Sequence, residues 1–121
     1  MLAYRKDIFA KHNITVPQTY DEMLAACRLI KQKEPGMGGL TSRAQAGHQV
    51  TAGWLRHLTA YNGRVIDDNY MLRVDDEASL KATAVLKEII DTGPVGGAAF
   101  DFGQMLNAFL QGQSAMYLDT I

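Results

Sequence analysis

The chain has 121 residues and a mass of 13.3 kDa, with 12 Lys+Arg against 13 Asp+Glu and a net charge of -1. That is about one domain, and it has no basic excess to neutralise phosphates, which argues against a nucleic-acid partner. A composition 47% apolar and 21% charged suits a packed core rather than a disordered chain. No apolar run approaches the roughly 18–20 residues that span a bilayer. The single cysteine, Cys27, excludes an internal disulfide framework and a Cys-rich metal site.

In chain order, Arg5 to His12 reads as a short helix with Ile8 and Phe9 on one side and Asn13 as its stop. Ile14 to Pro17 is extended, because a proline pushes its predecessor out of the helical region. Thr19 to Glu22 has the pattern of a capping box. Tyr20, Met23, Leu24, Cys27 and Ile30 follow on one helical face. That helix is expected to end near Lys33, where Pro35 to Gly39 forms a turn. Leu40 to Gly47 reads as irregular. Gln49 to Tyr61 reads as a helix with Val50, Trp54, Leu58 and Tyr61 on one stripe, ended by Asn62 and Gly63.

Arg64 to Val74 alternates weakly around Asp67, Asp68 and Asn69, which suggests two short strands and a turn. Asp75 or Asp76 then caps a helix that buries Ala78, Ala82, Val85, Leu86 and Ile89 and stops at Thr92-Gly-Pro94. Val95 to Ala99 is a connector. Asp101 to Gln104 offers a second capping box, followed by an apolar face of Phe102, Met105, Leu106 and Phe109. Ser114 to Leu118 reads as a strand with no partner after it, an exposed edge that a natural domain would pair or cover; the alternative is a small domain whose last strand pairs with an earlier one. Five helices and a few short strands make a helix-rich α+β single domain over residues 1–121. Both ends read as cut, and no secretory leader is visible at Met1 to Phe9.

Few motifs support chemistry. Gly36 to Gly39 lacks the Lys-Ser/Thr of a phosphate loop. His48 and His57 are nine apart, not the four that puts two ligands on one helix face, so no metal is expected. The acidic residues Asp67, Asp68, Asp75, Asp76 and Glu77 do not have calcium-loop spacing. Ser42, Ser79 and Ser114 sit in no nucleophile elbow. An enzyme is therefore not expected, and no cofactor is implied. The group Arg43, His48, Gln49, Trp54 and Arg56 mixes hydrogen-bonding side chains with one flat aromatic. Such a set suits a sugar, whose hydroxyls match Arg and Gln and whose C–H faces match an indole. Periodicity alone would place Trp54 in the core.

Four segments in order carry a resemblance. Tyr4-Arg-Lys-Asp-Ile-Phe9 with Val16-Pro-Gln-Thr-Tyr-Asp-Glu22, Leu58-Thr-Ala-Tyr-Asn-Gly63, Asp76 to Gly93, and Phe109-Leu-Gln-Gly-Gln-Ser-Ala-Met116 resemble the extracellular solute-binding proteins of ABC transporters, in the carbohydrate-binding family. The likeness spans all 121 residues. Gly39-Leu-Thr-Ser-Arg43 and Ala115-Met-Tyr-Leu-Asp-Thr120 look most like the polyol and sugar-alcohol binders. Tyr20 stands where that family often has Trp, and Asn62 where it has Gly.

The resemblance implies a type II periplasmic-binding-protein fold, here most of the second lobe of a two-lobe protein, with Tyr4 and Ala115 to Asp119 as stubs of crossover strands. It implies capture of a sugar or polyol, delivery to a membrane permease, and a periplasmic or extracellular location. The ligand-binding residues expected are Arg43, His48, Gln49, Trp54 and Asp119, the last accepting from a ligand hydroxyl near the hinge. A chain with half a cleft is expected to bind sugar weakly or not at all. A different reading is a small helical interaction module that self-associates through exposed apolar surface.

Overall fold

The computed structural model describes residues 1–119, in the order β1 (Leu2–Tyr4), α1 (Lys6–Lys11), α2 (Tyr20–Lys33), β2 (Gly38–Thr41), α3 (His48–Ala60), α4 (Glu77–Asp91), a 3-10 turn at Gly97–Ala99, α5 (Phe102–Leu110) and β3 (Ser114–Leu118). Thr120, the end of one resembling segment, and Ile121 lie outside the described residues. The helix-rich α+β class stands, with boundaries near those that periodicity gives.

The helix starts follow local chemistry. Asp101 accepts from the Gln104 amide at 2.7 Å while the Gln104 side chain accepts from the Asp101 amide at 3.0 Å, a complete capping box. Asp76 rather than Asp75 caps α4, accepting from the Ser79 amide at 2.9 Å. At α2 the box is half-formed. Thr19 accepts from the Glu22 amide at 3.2 Å, but the Glu22 carboxylate reaches past it to the Gln18 amide at 2.7 Å. Asn13 and Asn62 both take a positive φ where their helices end, a backbone region that asparagine tolerates.

Three expectations about strands are corrected. Ser114 to Leu118 is no unpartnered edge but the centre of a sheet ordered β1-β3-β2, antiparallel to β1 (Leu2 opposite Leu118) and parallel to β2 (Leu40 opposite Met116). Its partners lie at the far end of the chain and in the middle, so no local pattern could reveal them. The second correction is β2 itself, which occupies residues read as the end of a turn and the start of an irregular stretch. Its two glycines are poor strand formers, yet all four of its residues are buried. A Cβ on Gly39 would stand 2.4 Å from the Cys27 Cα, and one on Gly38 2.1 Å from the Pro94 nitrogen. The glycines are there because α2 and the end of α4 press on this strand. Gly39→Ala is expected to lower unfolding stability by about 2 kcal/mol through overpacking, read as a shift in the urea midpoint; an unchanged midpoint would refute this packing account.

Consecutive buried residues on β2 and β3 show that the sheet is covered on both faces. Ile8, Phe9, Met23, Leu24, Cys27, Ile30, Leu40, Val85, Ile89, Ala115 and Met116 belong to one core. Residues 64–74 form a loop rather than two strands. One antiparallel bridge, Ile66 to Leu72, closes it, and the Asp67 carboxylate organises it by accepting from the Asn69 and Met71 amides and from Arg73. In α4 the buried face is Ser79, Ala82, Val85, Leu86 and Ile89, with Ala78 only half-buried. In α5 it is Met105 and Ala108, and Phe102 is exposed. No helix among the described residues is long and apolar enough to cross a membrane.

Candidate functional site

Because β2 and β3 run parallel, both end at the same edge of the sheet. The residues just beyond them therefore meet, and the space outside the carboxyl ends of parallel strands is where open α/β sheets place their ligands. After Thr41 come Ser42 and Arg43; after Leu118 comes Asp119. Helix α3 crosses this edge closely. A Cβ on Gly53 would lie 2.5 Å from the Arg43 carbonyl oxygen, so the glycine sets the approach.

That approach brings Arg56 over the strand ends. The Asp119 carboxylate sits between two guanidinium groups. Arg43 donates from Nε to Oδ2 at 2.9 Å and from Nη2 to Oδ1 at 3.1 Å, the planar fork that suits a carboxylate. Arg56 Nη2 lies 2.9 Å from Oδ1, and its Nη1 donates to the Leu118 carbonyl at 2.6 Å. The Arg43 guanidinium also lies 4.7 Å from the centre of the Phe102 ring, a cation–π contact at the start of α5. An open groove of about 350 Å³ runs over this cluster, lined by Arg43, Ala52, Leu55, Arg56, Thr59 and Asp119.

Of the residues expected to bind ligand, the structure brings Arg43 and Asp119 together. It gives them different roles. The side chain of Asp119 is 0% exposed, against 17% for Arg43 and 20% for Arg56. Its carboxylate is thus the anchor behind the guanidinium groups, and the groove is offered N–H donors rather than the acceptor expected of Asp119. Trp54 is not brought to this cluster. At roughly 100° per residue it projects from nearly the opposite side of α3 to Ala52, Arg56 and Thr59. Its indole N–H donates to the Thr83 hydroxyl of α4 at 2.9 Å, and it lines a separate apolar cavity of about 640 Å³ with Val50, Leu55, Val65, Val74 and Leu86. His48 is exposed in the first turn of α3. Gln49 does not line the groove; its Oε1 is buried without a hydrogen-bond partner among the described residues. Arg56 and Phe102 complete the cluster. The first was legible as part of the polar group, whereas the exposure of Phe102 follows only from the seating of α5.

Two buried titratable groups lie nearby in the fold. His57 is fully buried; its Nδ1 is 2.9 Å from the Tyr20 hydroxyl and its Nε2 has no partner among the described residues. Burial, and then the positive Arg56, push its pKa down to about 4. Burial pushes the Cys27 thiol up to about 12, which removes it as a nucleophile at neutral pH.

The fold and site thus comprise a sheet whose strands β2 and β3 are buried, with a charged groove outside their parallel ends, where open α/β sheets place ligands. The comparisons give this arrangement its family: the chain belongs to the bacterial extracellular solute-binding proteins, whose family model matches residues 1–121. It is 30% identical over 99 residues to a probable amino-acid ABC transporter periplasmic-binding protein of Sinorhizobium fredii, covering 81% of this chain and 22% of that protein. In fold it resembles an ABC transporter solute-binding protein of Agrobacterium radiobacter K84 solved with ribitol (TM-score 0.86, 26% identity, 96% of this chain and 29% of that one). It also resembles the GacH receptor of Streptomyces glaucescens, solved unliganded and with acarbose (TM-score 0.74, 30% identity, 98% of this chain and 30% of that one). The chain thus spans under a third of the length of these relatives. The family is one of solute-binding proteins rather than of enzymes, and the relatives are periplasmic or extracellular components of ABC transporters.

Proposed function

We propose that this chain forms most of the second lobe of the substrate-binding component of an ABC importer for a sugar or sugar alcohol, working at the periplasmic or extracellular face with a membrane permease as partner. The observation that carries the reading is the groove over Arg43 and Arg56, with guanidinium N–H groups held by a buried carboxylate and apolar walls from Ala52 and Leu55. The likeness to a ribitol-bound protein at 26% identity supports the polyol class. The antiparallel β1–β3 pair, which carries the chain into and out of the sheet at one edge, supports the reading of these segments as crossovers between lobes. Closure of a second lobe over the groove, by hinge motion, would supply the remaining contacts.

One lobe makes only part of the contacts, while the entropic cost of capturing a ligand is undivided. Titrating the ¹⁵N-labelled chain with ribitol is therefore expected to move the amides of Arg43, Arg56 and Asp119 with a dissociation constant weaker than millimolar. Arg43→Ala should weaken this by about tenfold, the worth of a hydrogen bond from a charged donor. Sub-millimolar binding, or shifts confined to the Trp54 cavity, would overturn the reading.

A second reading has one observation in its favour. Ile66, Tyr70, Met71, Leu72 and Val74 expose apolar surface beside the α3–α4 cavity, with Tyr70 90% exposed. In this reading the isolated chain self-associates there, and sedimentation velocity should show a concentration-dependent dimer that Leu72→Lys abolishes; a monomer at all concentrations refutes it.

A further inference from the structure

We infer that the ligand taken by the Arg43–Arg56 groove carries a carboxylate, as a sugar acid or an amino acid does; the inference rests on the ligand-binding reading of that groove above and sets an acid in place of the neutral sugar or polyol. The starting point is charge. Two guanidinium groups share the one Asp119 carboxylate, so the cluster retains a positive charge. Among the described residues, the other contacts of these arginines are with neutral groups, the Phe102 ring for Arg43 and the Leu118 carbonyl for Arg56.

Each guanidinium has five N–H donors in a fixed plane. Asp119 and Leu118 take only some of them. The remainder belong to side chains about four-fifths removed from water, beside the apolar walls of Ala52 and Leu55. Bulk solvent screens such a charge less than it would a surface lysine. A polyol hydroxyl can accept one of these hydrogen bonds but leaves the charge unbalanced. A carboxylate accepts two in parallel from one guanidinium edge and neutralises the cluster. The buried Asp119 adds to the discrimination, because it fixes both arginines and spares the ligand the ordering of two long side chains.

The test is a matched titration of the ¹⁵N-labelled chain with sodium ribonate, ribitol and L-alanine. Ribonate and ribitol share a carbon skeleton and differ at the terminal carboxylate. Ribonate is expected to bind at least about tenfold more tightly than ribitol, the advantage of a charge-assisted pair, and that advantage should shrink as salt is added. Leu55→Asp places a compensating charge on the groove wall at an exposed position and should bring the ribonate-to-ribitol ratio toward unity, with circular dichroism reporting the fold. Tighter binding of ribonate, of alanine or of both relative to ribitol supports the inference, and their order names the source of the carboxylate. Ribitol equal to or better than both acids, with shifts at Arg43 and Arg56, overturns the inference and leaves the groove as a neutral polyol site. Shifts at neither arginine with any of the three overturn the underlying reading as well.

Discussion

Asp119→Asn is expected to lower the stability of this chain by about 3–5 kcal/mol, the cost of leaving buried charge without its partner. The carboxylate has no exposed surface and lies between Arg43 and Arg56. An amide of the same shape turns an NH₂ group toward guanidinium donors and removes the negative charge that both arginines contact among the described residues. The loss is not the worth of an ion pair but the penalty of two half-buried cations left facing each other. A control separates the two. Replacing the cluster together, with Arg43→Met, Arg56→Met and Asp119→Leu, should recover most of the loss, because apolar groups of similar volume carry no desolvation penalty. Urea unfolding of the parent, Asp119→Asn and the triple variant is the measurement. If Asp119→Asn unfolds at the same midpoint as the parent, the carboxylate does not anchor the site.

Acid should destabilise the fold from just below neutral pH. The pKa of His57 is pushed down to about 4 in the folded chain from an ordinary value of 6.5. The unfolded chain therefore binds the proton first as pH falls. Stability is full above about pH 6.5 and declines through the window down to pH 4, by as much as about 3 kcal/mol. The lowered carboxylates, among them Glu34, Asp67 and Asp76, add their own loss at the acid end of this window and below it, as pH falls through their ordinary values near 4. The group facing His57 from α2 is Tyr20, whose hydroxyl lies 2.9 Å from Nδ1; from its own helix the charged neighbour is Arg56. Neither can compensate an imidazolium, because the phenol is neutral and the guanidinium repels it. His57→Leu should flatten the dependence between pH 7 and pH 4, as its hydrophobic replacement leaves no proton to take up. Equal slopes for the parent and the leucine variant would show that some other group governs the acid transition.

The likeness of this chain to a family could be read from short segments because each rests on a local physical requirement. Asp76 starts α4 by accepting from the Ser79 amide three residues on, and Asn62 before Gly63 ends a helix by backbone conformation alone. The candidate site was legible only in part. Arg43 was legible as part of a polar group and Asp119 only through a resembling segment, yet they lie 76 positions apart, and nothing local says which of them faces a ligand. Trp54 shows the limit from the other direction. Its residue type suited a sugar, but rotation about α3 turns it toward Thr83 and away from the strand ends.

What the amino-acid order determines by itself here is the set of helices and their caps, since those depend on residues within a few positions of one another; which side chains of each face are buried was decided by packing, as the exposed Phe102 shows. The pairing of β3 at the centre of the sheet, the existence of β2 and the convergence of Arg43, Arg56 and Asp119 were decided by tertiary structure. Those features depend on the distance of closest approach between segments far apart in sequence. Gly39 against Cys27 and Gly53 against the Arg43 carbonyl are the points where a missing Cβ permits that approach, and a missing atom declares its purpose only when the neighbour is in place.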